Sequence, residues 1–287
     1  MKKLNSKKKI ILFGAGGGGR RLYEKLKYIY RIVCFIDNDK KKDASTYNEI
    51  PIYYATKEKL MELEFDQIII SSVVGMEDIV SQLKGYGISE NVIITKYVEI
   101  PIIARNIFCE KLGELFQRRN MCGSCAEAGV FQGAFAKIIN ENFPEKKLYL
   151  FDTFEGFDER DVLVEKNEKF SSAKKSDYDA TSVELVINKM KFPDNCIIKK
   201  GFFPETAIDI DDVFCFVNLD LDLYQPTLEG LKLFRNKMVK GGVILVHDYF
   251  TTDFKGVKEA VDQFIMENTT INLAPIGDGM SIMLTGF

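Results

Sequence analysis

Residues 217–224 read Val-Asn-Leu-Asp-Leu-Asp-Leu-Tyr, and residues 241–249 read Gly-Gly-Val-Ile-Leu-Val-His-Asp-Tyr. Each stretch is an apolar, strand-like run that closes on acidic residues. The surrounding sequence alternates strand and helix patterns, which is typical of a parallel α/β sheet. The carboxyl ends of parallel strands meet at one edge of the sheet, and open α/β sheets bind their ligands at that edge. We therefore predict a cofactor cleft there, with a candidate metal site beside it.

The bulk composition excludes several classes of protein. The chain has 287 residues, enough for one large domain or two ordinary ones, and its formal net charge of −3 gives no general field that would attract nucleic acid. Its lysine-rich start precedes a short apolar run that breaks at Gly14, and no stretch approaches the ~20 apolar residues of a membrane-spanning helix. We predict a cytoplasmic protein without a membrane span or a nucleic-acid partner, whose cysteines are reduced thiols.

Two successive strand-and-helix cycles, each opening with a glycine turn, predict an α/β fold made of two Rossmann-like units. The predicted parts are a small domain at residues 1–97, a connecting helix at residues 98–120 and a larger domain at residues 121–287. In the larger domain, strand-like residues 271–274 and 280–284 are joined by a short connection, which predicts an antiparallel hairpin at the end of a mostly parallel sheet. The charged segment 158–179 is interpreted as a surface loop or as a lid over the cleft.

The glycine turn of the larger domain has the pattern Glu127-x-Gly129-x-x-x-Gly133. It follows a strand and opens a helix, so its backbone can approach a nucleoside closely. Asp152 ends the next strand, where its carboxylate can accept hydrogen bonds from both ribose hydroxyls. The turn carries the bulky pair Phe131-Gln132 and lacks the fuller glycine set of pyrophosphate-binding loops. This favours S-adenosylmethionine over NAD.

Five collinear motifs in this region resemble the macrocin O-methyltransferase (TylF) family. They are residues 126–133 (Ala-Glu-Ala-Gly-Val-Phe-Gln-Gly), 151–156 (Phe-Asp-Thr-Phe-Glu-Gly), 201–206 (Gly-Phe-Phe-Pro-Glu-Thr), 220–224 (Asp-Leu-Asp-Leu-Tyr) and 247–249 (His-Asp-Tyr). The resemblance implies a class I methyltransferase fold with S-adenosylmethionine as the methyl donor. It also implies a divalent metal, usually magnesium, and a sugar hydroxyl as the methyl acceptor.

By position in these motifs, the resemblance implies cofactor-binding and metal-binding residues. The cofactor residues that carry over are Glu127, Gly129 and Asp152, and Gly133 and Thr153 beside them are also predicted to bind the cofactor. The metal ligands are Asp220 and Asp248, whose oxygens suit a hard cation. His247 stands where the family usually has another aspartate. It either ligates the metal and shifts the preference from magnesium toward manganese, or leaves that position to water.

The identity of the general base is left open by the sequence. The resemblance implies a histidine from the region between the second and third strands, but His247 is the chain's only histidine. The candidates are His247 itself, the carboxylates Asp222 and Asp177, Lys174, or the metal alone. Asp222 has a second interpretation as the cap of the following helix. We favour a ligand role for His247.

The first domain has its own fingerprint, Gly14-x-Gly16-x-x-Gly19, with Asp37 at the end of the next strand. This pattern is typical of dinucleotide or nucleotide-sugar binding. The unit is similar to the small Rossmann-like domains fused to bacterial sugar-modifying enzymes. Two hypotheses stay open for it, namely nucleotide or nucleotide-sugar binding and a purely packing role.

Taken together, the sequence predicts an S-adenosylmethionine-dependent, metal-assisted O-methyltransferase acting on a sugar or nucleotide-sugar in glycan or natural-product biosynthesis. One alternative is an NAD-dependent nucleotide-sugar-modifying enzyme, although no Tyr-x-x-x-Lys helix or cysteine nucleophile accompanies the first glycine turn. Another alternative is an inactive scaffold that binds nucleotide-sugars. The oligomeric state is left open, with a homo-oligomer among the alternatives.

Overall fold

The computed structural model describes residues 7–73 and 75–287, so the first six residues of the lysine-rich start lie outside the described part. The chain divides into two compact units, with the boundary between Ile102 and Ile103. The boundary falls inside a long helix, α4 (Lys96–Arg118), which covers most of the predicted connecting segment. Within the described ranges, no helix combines the length and apolar character needed to span a bilayer.

The first unit contains one mostly parallel sheet. Its strands are β1 (Lys9–Phe13), β2 (Arg31–Asp37), β3 (Thr46–Tyr47), β4 (Ile50–Tyr54), β5 (Gln67–Ile70) and β6 (Ile93–Ile94), and its helices before α4 are α1 (Gly17–Leu26), α2 (Lys57–Glu62) and α3 (Met76–Gly85). The strand order is β3-β4-β2-β1-β5-β6, and β3 is antiparallel to β4. Without β3, this order is that of a nucleotide-binding Rossmann sheet.

The second unit contains a seven-stranded sheet. Its strands are β7 (Ser124–Ala128), β8 (Leu148–Asp152), β9 (Cys196–Lys200), β10 (Phe214–Leu219), β11 (Met238–Val246), β12 (Asn272–Pro275) and β13 (Ile282–Thr285). Its helices after α4 are α5 (Ala134–Asn142), α6 (Glu159–Glu168), α7 (Val183–Ile187), α8 (Tyr224–Arg235) and α9 (Lys255–Glu267). The strand order β12-β13-β11-β10-β7-β8-β9 confirms the predicted two-unit α/β fold.

The terminal hairpin is confirmed, but its position in the sheet differs from the prediction. The last strand, β13, lies between β12 and β11 and is antiparallel to both, so the sheet ends with two antiparallel pairings rather than one. Burial explains this order. Ile282 and Leu284 of β13 are fully buried, whereas the residues of β12 are largely exposed at the edge. The more apolar strand therefore occupies the interior position.

Strand β10 shows how the core positions the site. All six of its residues are buried, which is expected of a parallel strand covered on both faces. Asn218 is the one polar side chain in this strand, and it is fully buried. Buried amides require hydrogen-bond partners, and Asn218 finds them in Glu127 and Arg105. The core thus contains a polar connection that leads to the carboxyl edge of the sheet.

The segment predicted as a loop or lid begins with a helix, α6. Its sequence shows no apolar stripe because its two buried side chains, Asp161 and Glu165, are acidic. Glu165 accepts a hydrogen bond from the backbone N–H of Tyr224, the first residue of α8, at 2.7 Å. Downstream of α6 the chain returns across the second glycine turn, where the Gln132 side chain donates to the Ala180 carbonyl at 2.8 Å. The segment is therefore an anchored helix followed by a covering loop.

Candidate active site

Strained backbone marks the carboxyl edge of the second sheet. Five non-glycine residues there have left-handed backbone, with φ angles from 47° to 61°, namely Phe131, Phe154, Tyr178, Asp222 and Asp248. Four of them follow the ends of strands β7, β8, β10 and β11, and Tyr178 lies in the covering loop. Residues with side chains rarely adopt this conformation, and when they do they cluster at functional sites. The strain therefore points to the edge that the sequence predicted.

The three predicted metal ligands lie together at this edge. Strands β10 and β11 are parallel neighbours, and the backbone N–H of His247 donates to the Leu219 carbonyl at 2.9 Å, which aligns the two strand ends. His247 Nδ1 lies 3.2 Å from Asp220 Oδ1 and 3.1 Å from Asp248 Oδ2. One ligand atom from each of the three side chains lies within 4.8 Å of the other two.

These residues fit a divalent cation. His247 Nδ1 is buried, and neither nearby carboxylate meets the geometry of a hydrogen bond with it. A proton on Nδ1 or a bound metal ion would stabilise two carboxylate oxygens and a ring nitrogen this close together. Burial disfavours a charged imidazole, but Asp220 and Asp248 outweigh it and raise the pKa of His247 to about 9. Two oxygens and one nitrogen also form a donor set suited to magnesium or manganese.

Asp222 belongs to the same cluster and does not cap a helix. Helix α8 starts at Tyr224, whose backbone N–H is bound by Glu165, and its N-cap residue is Leu223. Instead, burial together with the charges of Asp248 and Asp220 raises the pKa of Asp222 well above its usual value. Asp222 therefore lies close enough to the candidate metal ligands to be influenced by their charge.

The remaining base candidates from the sequence differ in their surroundings. Asp177 Oδ2 accepts a hydrogen bond from the backbone N–H of Lys174 at 2.9 Å, so these two residues close an exposed turn. The neighbouring Tyr178 was missed by the sequence analysis. Its ring lies 5.2 Å from that of Phe131 and 5.3 Å from that of Phe157, and the charge of Asp222 raises the pKa of its hydroxyl.

Glu127 provides a buried, incompletely satisfied acceptor beside the glycine turn. Its Oε1 accepts from Asn218 Nδ2 at 2.9 Å, whereas its Oε2 is buried without a partner. Burial, reinforced by Asp220, raises the pKa of Glu127 to about 8. Packing requires glycine at position 129, because a Cβ on Gly129 would lie 1.8 Å from the Asp220 carbonyl oxygen. A Cβ on Gly133 would likewise lie 2.9 Å from the Val186 side chain.

Asp152 is already engaged with the backbone. Its Oδ2 accepts from the N–H groups of Val130 and Phe131 at 2.8 and 2.9 Å, and its Oδ1 accepts from Phe154 at 2.7 Å. A carboxylate offers about four acceptor positions, so one is left for a ligand hydroxyl rather than the two expected from the sequence. Thr153 is also used locally, since its hydroxyl donates to the Gly156 carbonyl. Asp152 therefore shapes the glycine turn.

Arg105 on helix α4 is a site residue that the sequence analysis missed. Its Nη2 donates to Asn218 Oδ1 at 3.0 Å and to Asp220 Oδ2 at 2.9 Å. A signal for it exists in the sequence, because residue 105 is in helical register with the buried side chains Cys109, Leu112 and Phe116. A charged residue on a buried stripe of this kind requires a buried partner.

The residues predicted to bind a nucleotide in the first unit line one cavity of about 460 Å³; they are Gly14, Gly16, Gly19 and Asp37. Asp37 accepts from the N–H of Ala15 at 2.7 Å and from Lys42 Nζ at 2.9 Å, so it holds its glycine turn much as Asp152 does. Gly14 has a φ of 106°, and a Cβ on Gly19 would lie 1.9 Å from the Gly14 carbonyl oxygen. Gly16 differs, because a Cβ there would meet open space.

Comparisons with known proteins agree with this architecture. Residues 109–278 match the macrocin-O-methyltransferase (TylF) family, and residues 6–94 match the C2185-like N-terminal family. The O-methyltransferase NovP has a similar structure, with 20% identity over 64% of this chain and 79% of that one and a TM-score of 0.52. The calicheamicin methyltransferase CalS11 aligns over 80% of this chain and 89% of its own, with 18% identity and a TM-score of 0.49. A search of curated proteins gave no match.

The family match extends over more than half of the chain and includes every predicted cofactor and metal residue of the second unit. The likeness to NovP supports the same methyltransferase fold. This chain belongs to the macrocin-O-methyltransferase (TylF) family.

Proposed function

We propose that this protein transfers a methyl group from S-adenosylmethionine to a sugar hydroxyl with the help of a divalent cation. The observation that carries the proposal is the convergence of Asp220, His247 and Asp248 around a buried nitrogen that lacks a hydrogen-bond partner. One structural relative, CalS11, is described as a TDP-rhamnose 3'-O-methyltransferase, which supports a sugar or nucleotide-sugar as the acceptor class.

The donor site is proposed at the glycine turn after β7. The unpartnered Oε2 of Glu127 suits a cationic group such as the ammonium of the donor's methionine portion. The remaining acceptor position on Asp152 suits one ribose hydroxyl. The covering loop after α6 lies across this turn, where it would exclude water from the bound donor.

The acceptor chemistry is proposed at the neighbouring acidic cluster. When bound, a divalent ion held by Asp220, His247 and Asp248 would supply Lewis-acid chemistry that lowers the pKa of an acceptor hydroxyl. Asp222, whose carboxylate is made a stronger base by burial and by the charges of Asp248 and Asp220, is the group we propose to accept the hydroxyl proton. The rigid strand ends of β10 and β11 would hold the acceptor in line with the methyl group, which favours direct transfer.

Asp152→Ala is expected to weaken S-adenosylmethionine binding by about 1–3 kcal/mol, or roughly 5- to 150-fold, because a ligand hydroxyl and three backbone N–H groups lose their acceptor. Isothermal titration calorimetry with S-adenosylmethionine measures this loss of affinity. Asp37→Ala is the matched control, since Asp37 holds the other glycine turn in a similar way and should leave donor affinity unchanged. Loss of donor binding in Asp37→Ala alone would mean that the two units have been assigned the wrong way round.

We also propose that the first unit binds a nucleotide or nucleotide-sugar. Gly16 supports this, because its backbone is extended, with φ −80° and ψ −164°, and any residue tolerates that conformation. Neither strain nor packing requires glycine at this N-cap of α1, and close approach of a ligand would account for it.

Gly16→Val should therefore fold normally, yet reduce binding of NAD or nucleotide-sugars by at least about 10-fold, since its side chain would enter the cavity. Calorimetry with NAD and a nucleotide-sugar panel, alongside a thermal melt, checks this expectation. Absence of binding by the parent chain to every nucleotide tested would leave the first unit with a packing role.

A further inference from the structure

Arg105 introduces a fixed positive charge beside the candidate metal ligands. We propose that Arg105 opposes the cation at the Asp220–His247–Asp248 cluster, so that the cluster holds its divalent ion weakly and exchangeably. Methyl transfer would then follow the surrounding concentration of the metal. This inference rests on the proposed metal-assisted function and adds a determinant of metal affinity that lies outside the matched family region, residues 109–278.

The guanidinium of Arg105 is held on several sides. One nitrogen donates to both Asn218 and Asp220, and the group lies 4.0 Å above the centre of the Phe135 ring. The side chain is only 12% exposed, and its Nε is buried without a hydrogen-bond partner. Asn218 is itself fully buried and fixed by Glu127. Arg105 therefore has little freedom to move away when a metal ion arrives.

The two oxygens of Asp220 are divided between two groups. Oδ2 pairs with Arg105 at 2.9 Å, and Oδ1 faces His247 at 3.2 Å. A divalent ion bound to Oδ1 would be separated from the Arg105 guanidinium by only the one carboxylate group of Asp220. Repulsion between charges is stronger in a buried site than in water, and the paired carboxylate has less negative charge to offer the ion. Both effects lower the affinity for the metal.

A positioning role for Arg105 predicts the opposite result. If its main contribution were to orient the Asp220 carboxylate, its removal would loosen that ligand and weaken metal binding. The sign of the change in affinity therefore separates the two roles.

The test measures Mn²⁺ binding to the full chain by the electron paramagnetic resonance signal of free Mn²⁺. Arg105→Gln removes the charge, and Arg105→Met keeps an apolar stem over Phe135 if the glutamine variant folds poorly. Either variant is expected to bind Mn²⁺ at least about 10-fold more tightly than the parent, because the repulsion is gone. Arg105→Lys keeps the positive charge but loses the planar group that stacks on Phe135. It should therefore bind Mn²⁺ more like the parent than like the charge-removing variants. Circular dichroism checks that each variant is folded.

Asp220→Asn distinguishes failure of this inference from failure of the proposed function. If the parent binds Mn²⁺ and Asp220→Asn loses it, the metal site stands, and unchanged or weaker binding by the charge-removing variants overturns the role of Arg105. If neither the parent nor the charge-removing variants bind Mn²⁺, the metal-assisted function and this inference both fail. Tighter binding in the charge-removing variants alone, with Arg105→Lys like the parent, supports the inference.

Discussion

Asp220→Asn is expected to reduce methyl transfer by about 10²–10⁴-fold while S-adenosylmethionine still binds. The change removes an anionic ligand from the cluster, and Lewis-acid stabilisation is worth several kcal/mol in comparable sites. Donor binding should persist because the donor site is proposed at the glycine turn. Turnover at saturating donor, together with calorimetric donor affinity, measures the two effects separately.

The structure provides controls for this variant. Asp248→Asn should behave in the same way, since Asp248 Oδ2 lies as close to His247 Nδ1 as Asp220 Oδ1 does. Asp209→Asn makes the same chemical change at an exposed position and should retain the parent rate. Parent-like turnover by Asp220→Asn would remove this carboxylate from the chemistry and limit it to an ion pair with Arg105.

His247→Asp is expected to keep turnover within about 10-fold of the parent and to raise the preference for magnesium over manganese, because a hard oxygen replaces the imidazole nitrogen. His247→Ala should lose about 10²–10⁴-fold, since it supplies neither ligand nor base. The expectation follows from Nδ1, which faces oxygens of both Asp220 and Asp248. Turnover measured over a concentration series of magnesium, and over one of manganese, tests this expectation.

The two roles of His247 give different outcomes for the aspartate variant. A ligand can be replaced by another ligand, whereas a base at this position depends on the imidazole. An inactive His247→Asp variant that still binds both metal and donor would assign His247 as the base. In that case Asp222 would lose the role proposed for it.

The sheet was predictable because its parallel strands are nearly continuous apolar runs bounded by glycine turns and acidic ends. Helix α6 was not predictable in the same way, since it presents Asp161 and Glu165 to the interior instead of an apolar stripe. The insertion of β13 between β11 and β12 depends on which strand buries more apolar surface, which is a property of the assembled sheet. Local pattern therefore predicted the elements better than their final order.

The site was predictable where the topology alone brings residues together. Asp220, His247 and Asp248 follow neighbouring parallel strands, so their proximity follows from strand order. Arg105 reaches Asp220 from a helix more than a hundred residues earlier, and its partner depends on tertiary packing. The engagement of Asp152 by backbone N–H groups was likewise hidden, because sequence does not show which donors a carboxylate already serves.

The most direct test is methyl transfer from methyl-labelled S-adenosylmethionine to a panel of nucleotide-sugars, measured with and without a chelator. We expect a labelled sugar product, loss of that product in chelator, and recovery when magnesium or manganese is added in excess. Binding of the donor should be unaffected by the chelator. Full methyl transfer to a sugar in the presence of chelator would contradict the metal-assisted mechanism and leave Asp220, His247 and Asp248 as a structural ion-pair cluster.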